Sequence, residues 1–163
     1  MKKNLDLIQM IELEKINLDE NLKIPNILGI YINIPGINPT IGIKRDLNNT
    51  KEYCSILAEE IGHHFKTINN LIIKNDSYIK KILIQKEEFK ARLWAANFLI
   101  SDEEFVQAIL NCINNKYELS EKFDVTEDII NYKILSICID ENKYNDIKNK
   151  LKMHEVAYSA CEI

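Results

Sequence analysis

The stretch Leu57-Ala58-Glu59-Glu60-Ile61-Gly62-His63-His64-Phe65 concentrates the side chains of this chain best able to do chemistry. On a helix, residues four apart stand one turn above each other. Glu59 and His63 can therefore close on one metal ion while Glu60 lies about 100° round the axis. A hydrolytic metal site needs this arrangement. Two ligands at i and i+4 hold the ion, and a glutamate directly after the first takes a proton from the attacking water. Glu60 and His64 are also four apart, but with those as ligands the base position falls to Ile61, which cannot accept a proton. With Glu59 and His63 as ligands it falls to Glu60, and the set is chemically complete. His64 stands next to it as an auxiliary that could bind the metal in another rotamer or donate a hydrogen bond to a tetrahedral intermediate, although adjacent helical side chains diverge.

Zincins of the gluzincin type take a third ligand from a carboxylate on a later helix, and Glu88 is the candidate here. It follows His63 by 25 positions (88 − 63), in Glu88-Phe-Lys-Ala91-Arg92-Leu-Trp94-Ala95. Ala91 and Ala95 are small enough for that helix to pack closely on the first, whereas Glu87 would point elsewhere. Taken alone, Glu59–His63 also reads as an ordinary acid–histidine pair on a solvated face, and Glu88 as a surface carboxylate in a charged run. Context favours the metal: the pair follows an apolar face and includes Gly62, whose place inside a helix costs roughly 1 kcal/mol. Arg92 could pair with a carboxylate of the site or lie on the surface, and Trp94 and Phe98 read as core.

The elements that must position these residues follow from periodicity. Residues 4–20 place Leu5, Ile8, Ile11 or Leu13, and Ile16 at helical spacing. From Asn26 to Arg45, the β-branched run through Ile34 stops at Pro35-Gly36 and a second run begins at Thr40, so two short strands with a turn between them are expected. Asn49, with Glu52 three residues on, starts a helix over about 50–67 whose Cys54, Leu57, Ala58 and Ile61 face inward. A connection is expected over 69–76. A helix follows over 78–99, whole or interrupted in the middle, with Phe89, Leu93, Ala96 and Leu99 or Ile100 inward. Ser101 before Asp102, Glu103 and Glu104 marks another start, of a helix carrying Phe105, Ile109 and Cys112. Two short helices separated at Phe123-Asp124 fill 118–139, the second capped by Thr126, and a terminal helix runs from Asn142 to Tyr158. The expected fold is α+β and mainly helical, with a two- to three-stranded sheet near the N-terminus. It forms one domain over 1–163, divided into a catalytic core over 1–100 and a helical C-terminal subdomain over 101–163.

Composition bounds the function. The 163 residues carry 21 basic and 25 acidic side chains, a net charge of −4, which argues against nucleic-acid binding driven by bulk charge. With 46% hydrophobic residues the chain can bury a core, and no run of about 18 apolar residues suggests a membrane span. Cys54, Cys112, Cys138 and Cys161 are scattered without metal-site spacing, which fits reduced thiols in the cytoplasm, and no export signal is expected.

Three further stretches have ordinary readings. Thr40-Ile41-Gly42-Ile43 fits either an exposed edge strand on which an extended substrate could lie or an interior strand, and the residues slightly favour the interior one. Leu119 to Ile130 has the form of a compact helix-turn-helix, but Glu127 and Asp128 would open its second helix toward phosphates, so it reads as a packing or substrate-docking unit. His154-Glu155-Val156-Ala157-Tyr158 begins like a second metal motif, yet Tyr158 stands where a histidine is required.

With these residues in place, the chain resembles the ImmA/IrrE metallo-endopeptidases. The similarity lies in the apolar lead Ile56-Leu57-Ala58, the Glu60-x-Gly62-His63 core with His64 and Phe65 after it, and Glu88-x-x-Ala91-Arg92-x-Trp94-Ala95-x-x-Phe98-Leu99. It covers roughly the first two-thirds of the chain. The resemblance implies a zinc enzyme that cuts helix-turn-helix repressors of phages and mobile elements, with Glu60 as general base and His63 and Glu88 as ligands. Glu59 departs from the pattern, since the family motif is His-Glu-x-x-His. Two carboxylates and one imidazole offset the whole +2 charge, so the bound water should be less acidic, and manganese or iron become more competitive with zinc. Two classes of function follow. One is a metal-dependent endopeptidase acting on a repressor-like protein. The other is a binding module that has kept the shape and lost hydrolysis, serving as an antirepressor or as a regulator's partner. Neither involves direct nucleic-acid or membrane contact, and the oligomeric state is left open.

Overall fold

The computed structural model describes residues 2–45, 47, 49–66 and 77–160. The expected connection over 69–76, the side chains of the His154 motif and Cys161 lie outside what it describes. Two compact units divide the chain, 1–95 and 96–163.

The first unit begins with α1 (Lys2–Leu13), followed by β1 (Asn17–Leu22), β2 (Gly29–Ile32) and β3 (Thr40–Lys44). The expectation of one helix over 4–20 is corrected here. The helix stops at Leu13, the chain turns through Lys15 at φ 53°, and Asn17–Leu22 becomes a strand. The inward face of α1 also differs: Leu7 and Ile11 are buried, whereas Leu5 and Leu13 are exposed. The three strands form one mixed sheet in the order β1-β3-β2. β1 runs parallel to β3, pairing Leu18 with Ile41, and β2 runs antiparallel to it, pairing Tyr31 with Ile41 and Gly29 with Ile43. Thr40–Ile43 is therefore the interior strand, with Ile41 and Ile43 fully buried, and β1 and β2 form the two edges of the sheet.

α2 (Thr50–Lys66) follows, and the Asn49 side chain accepts a hydrogen bond from the Lys51 N–H at its start. Cys54, Leu57, Ala58 and Ile61 are all buried, as their spacing predicts. The Tyr53 hydroxyl donates to Glu20 Oε1 at 2.6 Å, tying this helix to β1. α3 (Ser77–Leu99) is one unbroken helix, which replaces the interruption considered in its middle. Ala91, Ala95, Ala96 and Leu99 are buried along it, but Phe89 is exposed, contrary to its expected inward position. α2 and α3 pack closely at Gly62. A Cβ there would lie 2.4 Å from the Ala91 carbonyl oxygen, so only glycine permits this crossing.

The second unit contains α4 (Asp102–Leu110), α5 (Lys116–Phe123), α6 (Glu127–Cys138) and α7 (Glu141–Ala160). Ser101 and Glu104 form a complete capping box, with Glu104 N–H donating to Ser101 Oγ at 3.1 Å and Ser101 N–H to Glu104 Oε2 at 3.2 Å. Cys112 lies beyond the end of α4 at φ 61°, exposed, instead of on the helix. α5 ends on Asp124 in the left-handed conformation, and Thr126 is the N-cap residue of α6 without a side-chain capping bond. Leu119, Val125, Ile129 and Ile130 form the core between these two helices. Lys133 is buried among them, its ammonium held by Asp102 and by Asn97 Oδ1 at 3.0 Å. No helix among the described residues is long and apolar enough to cross a membrane.

Candidate active site

Side chains from three elements of the first unit line a cavity of about 550 Å³: Gly29, Ile30 and Tyr31 from β2, Ile56, Glu59, Glu60 and His63 from α2, and Glu88 and Arg92 from α3. All four residues expected from the sequence to form the site, Glu59, Glu60, His63 and Glu88, thus face one space. Glu87 does not share it; it is buried and pairs with Lys90 at 2.9 Å.

His63 Nε2 lies 3.5 Å from Glu88 Oε1. Two neighbouring ligands on a tetrahedral ion, with bonds of about 2.0–2.1 Å, would stand roughly 3.3–3.4 Å apart. Glu59 is placed differently. Its Oε2 faces the guanidinium of Arg92, with Nε at 3.3 Å, and Arg92 Nη2 also reaches Glu88 Oε2 at 3.8 Å. Arg92 is therefore part of the site and not an isolated surface charge. As they stand, no three His, Cys, Asp or Glu side chains among the described residues form a group that could hold a metal ion. What fits a divalent cation is the one ligand edge and the charge. With Glu59, Glu60 and Glu88 ionised and His63 neutral, the state a bound cation favours, the lining carries three negative charges against the one positive charge of Arg92, and a +2 ion would balance the difference (−3 + 1 = −2).

Burial dominates the electrostatics of Glu60. It pushes the carboxyl up to about 7, with His63 and Arg92 opposing and the charges of Glu59 and Glu88 reinforcing the rise. Gly29 contributes to that burial, because its backbone presses on the carboxylate: a Cβ at Gly29 would lie 2.6 Å from Glu60 Oε1 and 2.5 Å from Ile56 Cγ2. For His63, burial disfavours protonation, but the Glu88 hydrogen bond and the surrounding carboxylates outweigh it and raise the imidazole above its usual 6.5. The hydrogen bond from His63 holds Glu88 below the ordinary carboxylate range, against its partial burial.

His64 is not among the residues lining the cavity. Its Nδ1 shares a hydrogen bond of 2.9 Å with the Tyr31 hydroxyl, and its Nε2 lies 3.4 Å from Glu14 Oε2. Glu14 can only accept, so a neutral ring carries its proton on Nε2 and accepts at Nδ1 from Tyr31. The ring is further enclosed by edge contacts with Tyr31 and Phe65, and Phe65 stacks on Trp94 with centroids 5.2 Å apart. Sequence reasoning did not find Gly29, Tyr31 or Glu14. A glycine opening a β-branched run is the one signal that could have marked a close backbone approach.

Residues 17–135 match the family model of peptidase M78, described as the IrrE N-terminal-like domain, and the chain belongs to that family. The family is one of metallopeptidase fold and implies a metal cofactor, typically zinc. No curated protein and no solved structure matches.

Proposed function

We propose that this member of the IrrE N-terminal-like family is a metal-dependent endopeptidase of the cytoplasm, with Glu60 as general base and Glu59, His63 and Glu88 as the metal ligands. The observation that carries the reading is the His63–Glu88 approach across α2 and α3, with the raised carboxyl of Glu60 in the same cavity. A carboxyl poised near 7 can take a proton from water at neutral pH and return it to the leaving amine. When bound, a divalent ion would supply Lewis acidity at that point, and zinc, manganese and iron are all compatible with two carboxylates and one imidazole. Because β2 lies at an edge of the sheet and lines the cavity, an extended substrate segment can pair along Gly29–Ile32 by β-augmentation. The bare backbone of Gly29 lets the Glu60 carboxylate lie against this strand. The protein substrate in this reading is a helix-turn-helix repressor of a phage or mobile element.

The test is co-expression with helix-turn-helix repressors, taken first from any encoded in a neighbouring gene. Cleavage that depends on added metal and disappears in Glu60→Gln supports the reading. An intact repressor, together with a natively purified protein free of metal, counts against it.

A second reading, a binding module without hydrolysis, is favoured by the Glu59–Arg92 ion pair, which commits the first ligand elsewhere. If Glu59→His creates metal affinity that the natural chain lacks, this reading gains. If Glu59→Ala abolishes an affinity that is present, the first one does.

A further inference from the structure

Among the described residues, Arg92 is the one lysine or arginine lining the cavity, and it contacts two of the three proposed ligands at once. Its Nε approaches Glu59 Oε2 at 3.3 Å, and its Nη2 approaches Glu88 Oε2 at 3.8 Å. Glu88 is four residues earlier on α3, so the reach to Glu88 is fixed within one helix turn. Glu59 belongs to α2, so the same guanidinium also bridges the two helices that frame the cavity. The third proposed ligand, His63, meanwhile rests against the other oxygen of Glu88. Each proposed ligand carboxylate thus already has a cationic or proton-donating partner within the chain.

From this geometry we infer that Arg92 is a built-in competitor for the metal. It is a positioning residue that holds Glu59 and Glu88 together when no ion is present and must release Glu59 for an ion to bind. The inference rests on the metal-site reading above and adds a step to it: loading the site exchanges a guanidinium contact for a metal bond. A fixed charge of +1 a few ångströms from a +2 ion also opposes binding directly, through a partly solvated medium. Both effects have the same sign. Removing the guanidinium should tighten metal binding, although it removes an ion pair from the metal-free protein.

Arg92 is partly exposed and meets the two carboxylates with different nitrogens, Nε and Nη2, so glutamine removes the charge and keeps a polar side chain, while lysine keeps the charge on one ammonium that cannot span both carboxylates. The experiment is competition for Zn²⁺ between a chromogenic chelator and the full-length, metal-stripped protein, in the natural form, R92Q and R92K, alongside thermal unfolding of each without metal. R92Q should bind Zn²⁺ on the order of tenfold more tightly than the natural protein, with R92K between the two. Metal-free R92Q should melt no higher than the natural protein and gain more in melting temperature on loading. Such opposite movements are not what a general loss of structure produces. Equal or weaker Zn²⁺ affinity in a folded R92Q, while the natural protein does bind, overturns the inference alone. Failure of all three forms to bind Zn²⁺ overturns the metal-site reading and this inference with it.

Discussion

Glu60→Gln should make the metal-free protein more stable at pH 8 and leave it almost unchanged below pH 4.5. The carboxyl of Glu60 is raised in the fold to about 7 from its ordinary 4.5, chiefly by burial. A group whose native value is raised folds more easily protonated than charged. The penalty is therefore absent below about pH 4.5, grows between 4.5 and 7, and is full above 7. The difference (7 − 4.5 = 2.5) at about 1.36 kcal/mol each corresponds to roughly 3 kcal/mol, and to about 2 kcal/mol once the part of the side chain that water reaches is allowed for. Glutamine has the same shape and no charge to desolvate. His63 works in the opposite direction: its raised value contributes stability at low pH that fades as pH rises above 6.5, and losing the Glu60 charge weakens that contribution slightly. Urea unfolding in the presence of a chelator, at pH 4.5, 6 and 8, measures the difference. A variant as stable as the natural protein at pH 8, or less stable, with an unchanged m-value, would refute the argument that burial of Glu60 dominates the site.

Two further predictions concern the frame. Gly62→Ala should destabilise by about 2–3 kcal/mol by chemical denaturation despite alanine's better helix propensity, because its Cβ would meet the Ala91 carbonyl oxygen at 2.4 Å. Asp102→Ala should cost about 3–5 kcal/mol, since it leaves the buried Lys133 ammonium without its carboxylate; Asp102→Ala combined with Lys133→Met should recover most of that loss.

The parts of the fold written in local periodicity were readable in advance. The inward face of α2, the Ser101 start of α4 and the break at Asp124 all follow from spacing within one or two turns. β1 was not readable, because Leu18 and Leu22 four apart continue a helical pattern and most of its other side chains are exposed. What makes Asn17–Leu22 a strand is backbone pairing with β3, more than twenty residues away, and no local pattern records that. The same limit applies to the site. Spacing along two helices brought Glu59, Glu60, His63 and Glu88 to one cavity. It could not show that Arg92 would hold Glu59, or that Tyr31 and Glu14 would draw His64 away, since these contacts depend on how separate elements meet.

X-ray absorption at the zinc edge of the loaded protein tests the central assignment most directly. One imidazole nitrogen with carboxylate and water oxygens, no sulfur, and loss of the imidazole signal in His63→Ala are the predicted result. A shell containing sulfur, or one unchanged by His63→Ala and Glu88→Gln, would contradict it.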